Sequence, residues 1–327
     1  ASCLVGSEMC IRDSLYATLY SFPAMMKRNL MKGSVIPRYS GLPTVLKENG
    51  YYNLFFMTHE GQYDNMNAFF RTNGYDEVFS QENYPADKVV NSFGVQDDFL
   101  YDYAIPVLNQ RAATGQPFFA TLLSISNHPP YVIPPFFHPK TSEPEMQIVE
   151  YADWALRQFF EEARKQPWFD NTIFVLEGDH GKLVGDAECE LPESYNHIPL
   201  MIYSSRIQPE EKTTFGGQVD IQPTILGLLN IDYLQNNFGV DLLKEERPCM
   251  FYTADNMVVG RNDTLLYLYN YETQQELTYD IGNGKLNAVP MDDSFLPLKE
   301  YSFSMLQSAE FLVKHGKTLN SIPFTQQ

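Results

Sequence analysis

Positive charge is scarce in this chain of 327 residues. Lys and Arg together number 23 against 41 Asp and Glu, which gives a formal net charge of −18. A protein that binds nucleic acid needs a basic face to contact phosphates, so this composition argues against a nucleic-acid partner. It does not exclude phosphate chemistry, because a bound divalent cation reverses the local electrostatic field.

Long hydrophobic runs and metal-type cysteine patterns are also absent. No run reaches about 18 consecutive apolar residues, so no segment has the pattern of a membrane-spanning helix, and no signal peptide is visible. The four cysteines lack the spacing of a metal site, and we interpret them as unpaired thiols: Cys3, Cys10, Cys189 and Cys249. Cysteine usage therefore leaves the cellular compartment open.

The first fourteen residues, ASCLVGSEMCIRDS, fit no pattern that follows them. They resemble a translated sequencing adaptor, and the alternative is an ordinary flexible N-terminus. We therefore leave residues 1–14 out of the fold prediction as a non-native segment. The sequence then predicts a main domain over 15–248 and a smaller C-terminal subdomain over 249–327.

Apolar patterning in the main domain alternates between strands and helices. Strands are expected at 52–57, 118–125, 172–176 and 198–203, and helices at 43–49, 98–110, 147–165 and 222–229. Continuous apolar strands separated by helices predict an α/β fold, with a mostly parallel sheet covered by helices on both faces. After Cys249 the pattern predicts a small α+β subdomain, with antiparallel strands at 265–269 and 276–279 and a closing helix at 302–314.

Polar residues follow three of the predicted strands. His59 follows the first, Asn127 and His128 the second, and Asp179 and His180 the third. Ligands of open α/β sheets bind at the carboxyl ends of the strands, so we expect these side chains to converge in one cleft. His197, which precedes the fourth strand, is a further candidate. For His128 and His197, a hydrogen-bonded structural role is equally consistent with the sequence. His138 and His315 lack such a context and are expected at the surface.

The pair Asp179-His180 gives the sharpest local signal. A carboxylate and an imidazole in one turn can both bind a single divalent metal if the backbone bends between them, and Gly178 and Gly181 permit that bend. The alternative is a polar turn after a buried strand. Two prolines fix the backbone after His128, which suits a residue held toward a ligand but also a turn that is rigid for its own sake.

Several segments together resemble the lipoteichoic acid synthase-like proteins of the sulfatase and alkaline phosphatase superfamily. They stand in the family's order over about residues 15–245: LYATLYSFPA, PTVLKENGYYNLFFMTHEGQYDNMNAFFRTNGYDEV, SISNHPPY, NTIFVLEGDHG, NHIPLMIYSS and GGQVDIQPTILGLLNI. The resemblance implies an alkaline-phosphatase-like fold on the extracytoplasmic face of the bacterial membrane, anchored by N-terminal helices that this sequence does not contain.

The resemblance also implies a chemistry. A threonine nucleophile bound to one Mn²⁺ or Mg²⁺ would take a phosphoglycerol group from a lipid donor and pass it to an acceptor, so the substrate would be a lipid-linked or glycan phosphate ester. Asp179 and His180 would bind the metal, and His128 would contact the phosphoglycerol group. His59 would line the site, and His197 would lie near the metal or phosphate.

Two departures from the family pattern bear on this reading. The family's nucleophile and first acidic metal ligand lie upstream of the stretch that LYATLYSFPA resembles, so the nucleophile is expected upstream of Leu15 and neither Ser14 nor Thr18 is nominated. We therefore expect the chain as written to be inactive. Ala68 stands where some members carry an arginine, which leaves the transferred group open.

Two alternative functions remain. A sulfatase of the same superfamily would usually carry a formylglycine motif near its N-terminus and Asp-Asn rather than Asp-His at the metal. A non-catalytic envelope protein could keep the fold and bind a glycan or a lipid headgroup. The joint presence of Asp179, His180 and His128 favours the enzyme.

Overall fold

The structure is a computed structural model that describes residues 13–25, 30–31, 35–183, 186–212, 215–254 and 256–320. These residues form two compact units. The parallel-sheet unit contains residues 43–174 and 203–207, and the antiparallel-sheet unit contains the described residues of 1–42, 175–202 and 208–327. The domain boundaries predicted at residues 15 and 249 stay predictions.

The secondary structure alternates between helices and strands up to residue 228 and is mainly antiparallel strands thereafter. The helices are α1 (residues 13–20), α2 (Leu42–Glu48), α3 (Met66–Thr72), α4 (Asp97–Ala112), α5 (Pro144–Ala163), α6 (Glu193–Asn196), α7 (Ile221–Leu228) and α8 (Leu296–Lys314). The strands are β1 (Tyr52–Met57), β2 (Glu77–Phe79), β3 (Val89–Asn91), β4 (Gly94–Val95), β5 (Phe118–Leu123), β6 (Phe174–Glu177), β7 (Leu200–Tyr203), β8 (Met250–Ala254), β9 (Met257–Arg261), β10 (Leu265–Asn270), β11 (Glu276–Asp280) and β12 (Asn287–Ala288). Among the described helices, none is both long and apolar enough to cross a membrane.

A parallel sheet with the order β2-β1-β5 forms the centre of the parallel-sheet unit. The central strand β1 is buried from Asn53 to Met57, as its run of apolar residues predicts. Helix α5 begins with Pro144, a residue suited to the first turn, and buries one stripe that includes Ile148, Ala155 and Phe159. The predicted parallel strands and intervening helices are therefore confirmed in this unit.

A five-stranded antiparallel sheet, in the order β12-β11-β10-β9-β8, dominates the antiparallel-sheet unit. Helix α8 packs on strand β9 at Gly260, where an added Cβ would lie only 2.6 Å from Ser302 Oγ. Glycine is required there because the helix approaches the strand so closely. The antiparallel strands and closing helix predicted after Cys249 are confirmed.

Strand β7 differs from its sequence pattern. Its apolar residues predict a covered strand, but Met201 is 55% exposed, and Leu200 and Tyr203 are also exposed. Strand β7 pairs with β6 in a two-stranded sheet. Apolar composition alone therefore predicted the strand correctly and its burial wrongly.

Candidate functional site

The turn after β6, residues 177–181, carries the candidate metal ligands and is called the metal turn below. Its fold requires Gly181, because an added Cβ would lie 1.9 Å from the carbonyl oxygen of Ser194. The Gly181 N–H donates to the carbonyl of Tyr195 over 2.8 Å, which closes the turn against that segment. The glycine after Asp179-His180 is therefore needed for a close backbone approach.

The side chains of Asp179 and His180 lie side by side. His180 Nδ1 is 2.7 Å from the carbonyl oxygen of Gly181, which can only accept, so Nδ1 carries the proton. This leaves the lone pair of His180 Nε2 available, 3.7 Å from Asp179 Oδ2. Asp179 Oδ1 accepts a hydrogen bond from the His180 backbone N–H over 2.9 Å. One carboxylate oxygen and one imidazole nitrogen, both donor types that divalent metals bind, are thus brought together.

Three side chains that the sequence did not nominate support the metal turn. The hydroxyl of Ser14 donates to the Asp179 carbonyl, and Gln218 Nε2 donates to the same carbonyl over 2.9 Å. Thr18 Oγ1 donates to Glu177 Oε1 over 2.6 Å. Ser14 and Thr18 are four residues apart and so lie on one face of α1. Their shared helical face was the one sequence signal that could have pointed to this role.

Glu177 carries an unusual carboxyl group. Burial raises the pKa of Glu177 to about 8; the charge of Asp179 acts in the same direction, and the hydrogen bond from Thr18 opposes it. Its Oε2 atom is buried and has no hydrogen-bond partner among the described residues. A buried carboxylate oxygen without a partner, two residues before Asp179, is consistent with a cation binding nearby.

The metal ligand set is not complete within the described ranges. No three His, Cys, Asp or Glu side chains converge there closely enough to hold a metal ion. Asp179 and His180 therefore stay predicted ligands, and the absence from this chain of the nucleophile and first acidic ligand, expected upstream of Leu15, also stays a prediction.

His59 lies at the carboxyl end of β1 and is only 3% exposed. Its Nδ1 is 3.0 Å from the carbonyl oxygen of Glu60, and its ring lies 4.8 Å from that of Tyr63. Burial lowers the pKa of His59, so the neutral imidazole is favoured. The expectation that His59 lines the site stays a prediction.

His128 lies in the loop after β5. Its Nδ1 is 2.7 Å from the carbonyl oxygen of Pro129, and the Phe93 ring centroid lies 4.2 Å from that of the imidazole. The Nε2 atom is buried without a hydrogen-bond partner among the described residues. With Phe93, Gln96 and Ser126, His128 lines a cavity of about 10 Å³. Because Nε2 is buried without a hydrogen-bond partner among the described residues, a ligand-binding role for His128 is favoured over a structural role in which both ring nitrogens are hydrogen-bonded.

The other histidines are exposed. His197 lies in the loop between α6 and β7, and His138 and His315 are at the surface, as the sequence predicted for the last two. Asp179 and His180 share one turn, whereas His59 and His128 belong to the parallel-sheet unit. The convergence of all the candidate residues in one cleft stays a prediction.

The Sulfatase family model matches residues 4–231, which is more than half of the chain. The chain therefore belongs to the sulfatase family. The match begins inside the segment 1–14 that sequence analysis set aside, and the non-native interpretation of that segment stays a prediction.

The chain is similar to lipoteichoic acid synthases and to a phosphoglycerol transferase. It is 26% identical over 270 residues to lipoteichoic acid synthase 1 of Bacillus subtilis, an alignment that covers 76% of this chain and 40% of that protein. It is also 26% identical over 243 residues to phosphoglycerol transferase I of Xanthomonas campestris, covering 70% of this chain and 34% of that protein. The chain thus spans less than half the length of these relatives.

Solved structures confirm the fold. An alkaline phosphatase superfamily protein from Vibrio parahaemolyticus matches with a TM-score of 0.82 and 26% identity, covering 94% of this chain and 76% of that one. The lipoteichoic acid synthase LtaP from Listeria monocytogenes matches with a TM-score of 0.78 and 21% identity, covering 93% and 80%. The predicted alkaline-phosphatase-like α/β fold and the resemblance to lipoteichoic acid synthases are therefore confirmed.

Proposed function

We propose that this chain is part of a bacterial cell-envelope enzyme that transfers or hydrolyses phosphoglycerol or a related phosphate ester with the help of one Mn²⁺ or Mg²⁺. The observation that carries the proposal is the pairing of Asp179 Oδ2 and His180 Nε2 at 3.7 Å. Relatives named lipoteichoic acid synthase and phosphoglycerol transferase support the choice of ester.

The metal would be held by Asp179 and His180, with the unpartnered Oε2 of Glu177 as a further carboxyl oxygen nearby. A divalent cation in this position lowers the pKa of a hydroxyl nucleophile and offsets charge on phosphoryl oxygens. Ser14 and Thr18 are not proposed as that nucleophile, because both hydroxyls already donate to the metal turn. The family's threonine, expected upstream of Leu15, keeps that role.

His128 is proposed to contact the ester group. Because its Nδ1–H is engaged by the Pro129 carbonyl, the unpartnered Nε2 is the atom left for substrate. When neutral, Nε2 can accept a proton from a reacting hydroxyl; when protonated, it can donate to a phosphoryl oxygen. His59 and His197 are proposed as further substrate-binding residues.

The substrate would be a lipid-linked or glycan phosphate ester, with no nucleic acid involved. We propose that the whole protein acts on the extracytoplasmic face of the bacterial cytoplasmic membrane, anchored by helices upstream of this sequence. Sulfatases share the fold, so a sulfate ester is the competing substrate, and a binding protein without activity is the third option.

Calorimetric titration tests the proposal. We expect glycerol 1-phosphate to bind the chain in the presence of Mn²⁺ and to lose that binding in Asp179→Ala and His180→Ala variants. Asp153→Ala is the matched control, since Asp153 is a carboxylate on α5 that is 71% exposed and pairs with Arg157 across a helical turn. Binding that is independent of both Mn²⁺ and Asp179 would contradict the proposal.

The ester class is decided by a second comparison. With Mn²⁺ present, a phosphate ester should bind more tightly than a sulfate monoester of similar size. Chromogenic phosphodiester and sulfate-ester substrates, with Asp179→Ala as the background, separately test the expectation that the chain as written is inactive. Tighter binding of the sulfate ester than of the phosphate ester would favour the sulfatase alternative.

A further inference from the structure

Residues 89–97 contact both candidate histidines of the parallel-sheet unit. They comprise β3, the turn at 92–93, β4, Gln96 and the first residue of α4. We call this segment the β3–β4 ribbon. It touches the loop that carries His128 on one side and the backbone at His59 on the other. No sequence pattern assigned a function to this segment.

Side chains of the ribbon fix the loop before and after His128. The Asp97 carboxylate accepts from the backbone N–H groups of Ile125 and Ser126 over 2.9 and 3.0 Å. Beyond the histidine, Gln96 Nε2 donates to the carbonyl of Val132 over 2.8 Å. The backbone that carries His128 is therefore anchored at both ends.

The ribbon is itself fixed against the end of β1. The Val95 N–H donates to the carbonyl of Thr58 over 3.2 Å. At Gly94, which has a φ of +92°, an added Cβ would lie 1.8 Å from that same carbonyl oxygen and 2.9 Å from the Cα of His59. The turn that carries Phe93 is therefore held against the backbone that follows β1.

Phe93 covers the face of the His128 ring. The two ring centroids are 4.2 Å apart and the planes are tilted by 47°. Among the described residues the His128 imidazole makes one hydrogen bond, through Nδ1, so packing against its face adds a second constraint on the orientation of the ring. The cavity that both residues line is about 10 Å³. This is close to the space needed by one water-sized atom, so it can accept one substrate oxygen at Nε2.

We propose that Phe93 is a positioning residue that holds the His128 imidazole with Nε2 directed to one oxygen of the ester substrate. This inference rests on the proposed function for its substrate, and on the ribbon contacts for its geometry. Aromatic ring pairs of this kind change an equilibrium by roughly two- to tenfold, and the loss of the pair should weaken ester binding by that factor.

The chain offers a close internal control. On α8, Phe311 lies 4.4 Å from His315 with a tilt of 45°, which nearly reproduces the geometry of Phe93 and His128. Phe311→Leu therefore removes a comparable Phe–His contact from a helix with no candidate residue. Phe93→Tyr keeps the ring and serves as the conservative variant, while Phe93→Leu removes it.

Imidazole NMR signals give a readout that does not depend on activity. With six histidines in the chain, the signals can be assigned by single substitutions. We expect the His128 ring protons to be shifted upfield by Phe93 and to lose that shift in Phe93→Leu but not in Phe93→Tyr. Phe311→Leu should remove the corresponding shift from His315 alone. A His128 signal that is unchanged in Phe93→Leu would overturn the inference.

Titration with glycerol 1-phosphate and Mn²⁺ completes the test. Phe93→Leu should raise the Kd roughly two- to tenfold, with no change in Phe93→Tyr or Phe311→Leu. An unchanged or lower Kd in Phe93→Leu would overturn the inference, since the ring would then be neutral or obstructive. If the wild-type chain does not bind the ester, the proposed function fails, and the imidazole signals alone decide whether Phe93 holds His128. A thermal melt of each variant confirms that it is folded.

Discussion

The guanidinium group of Arg247 binds both carboxylate oxygens of Asp220, and both side chains are almost completely buried. Nε lies 2.8 Å from each oxygen, and the side chains are 1% and 0% exposed. The same carboxylate accepts from the backbone N–H groups of Gly217 and Val240 over 2.9 Å each. The pair therefore fixes the start of α7, next to Gln218, which donates to the metal turn.

Replacement of Asp220 by Asn should destabilise the fold strongly. A buried guanidinium would lose its counter-charge, and breaking such a pair costs about 3–5 kcal/mol. Urea unfolding of Asp220→Asn measures this loss. Asp153→Asn is the control, because its exposed pair with Arg157 should contribute only about 0.3–0.5 kcal/mol. Equal losses in the two variants would contradict the structural role of the buried pair.

Gly94→Ala should cost more stability than Gly115→Ala. Both glycines have positive φ, +92° and +76°, so each substitution strains the backbone by on the order of 1 kcal/mol. At Gly94 the new Cβ would also meet the Thr58 carbonyl at 1.8 Å, whereas nothing lies within 4 Å at Gly115. Chemical unfolding of both variants gives the comparison, and similar losses would show that the ribbon does not press against β1.

The free energy of unfolding should fall as the pH is lowered, and part of this fall should come from His59. Burial lowers the pKa of this histidine, while Glu82, Asp64 and Glu60 oppose the shift without cancelling it. The unfolded chain takes up the proton at the ordinary histidine pKa near 6.5, so the contribution of His59 to the free energy of unfolding is complete above pH 6.5. This contribution is lost as the pH falls from 6.5 toward the lowered pKa of His59 in the folded chain.

Unfolding free energies at pH 7.5 and 5.5 test this expectation. The difference between the two pH values should be smaller in His59→Gln than in the wild type. His138→Gln should behave as the wild type, because His138 is exposed. A larger pH dependence in His59→Gln would reverse the sign and refute the assignment.

Mn²⁺ should raise the melting temperature only slightly, and the rise should depend on Asp179. Stabilisation follows RT ln(1 + [metal]/Kd), so a tenfold excess over Kd contributes about 1.4 kcal/mol. With two ligands described, we expect weak binding, a rise that is reversed by a chelator, and none in Asp179→Ala. A large rise would instead indicate that the chain already holds a complete set of ligands.

The sequence predicted strand β1 to the residue, because an apolar run bounded by polar residues has sharp limits. Strand β5 ends two residues early because Asp97 takes the N–H groups of Ile125 and Ser126 away from the sheet. Helix α8 begins at Leu296, six residues before the predicted start, with Pro297 in its first turn. These two errors in element boundaries arise from side-chain hydrogen bonds and from a proline at a helix start, neither of which apolar periodicity records.

The candidate site was predictable only where its chemistry is local. Asp179 and His180 are consecutive, so the metal turn is visible in the sequence. Phe93 and Gln218 act through contacts with residues 35 to 40 positions away. No spacing rule links them to the site, because the fold rather than the local sequence makes them neighbours.

The hydrogen bonds to Asp179 also have a consequence for the order of folding. Ser14 and Gln218 reach its carbonyl from 165 and 39 positions away along the chain. During synthesis, α1 emerges from the ribosome long before the turn that it contacts, and Gln218 emerges later still. Closing such distant loops costs entropy and slows folding, so the metal turn should be among the last parts of its unit to acquire protection from hydrogen exchange.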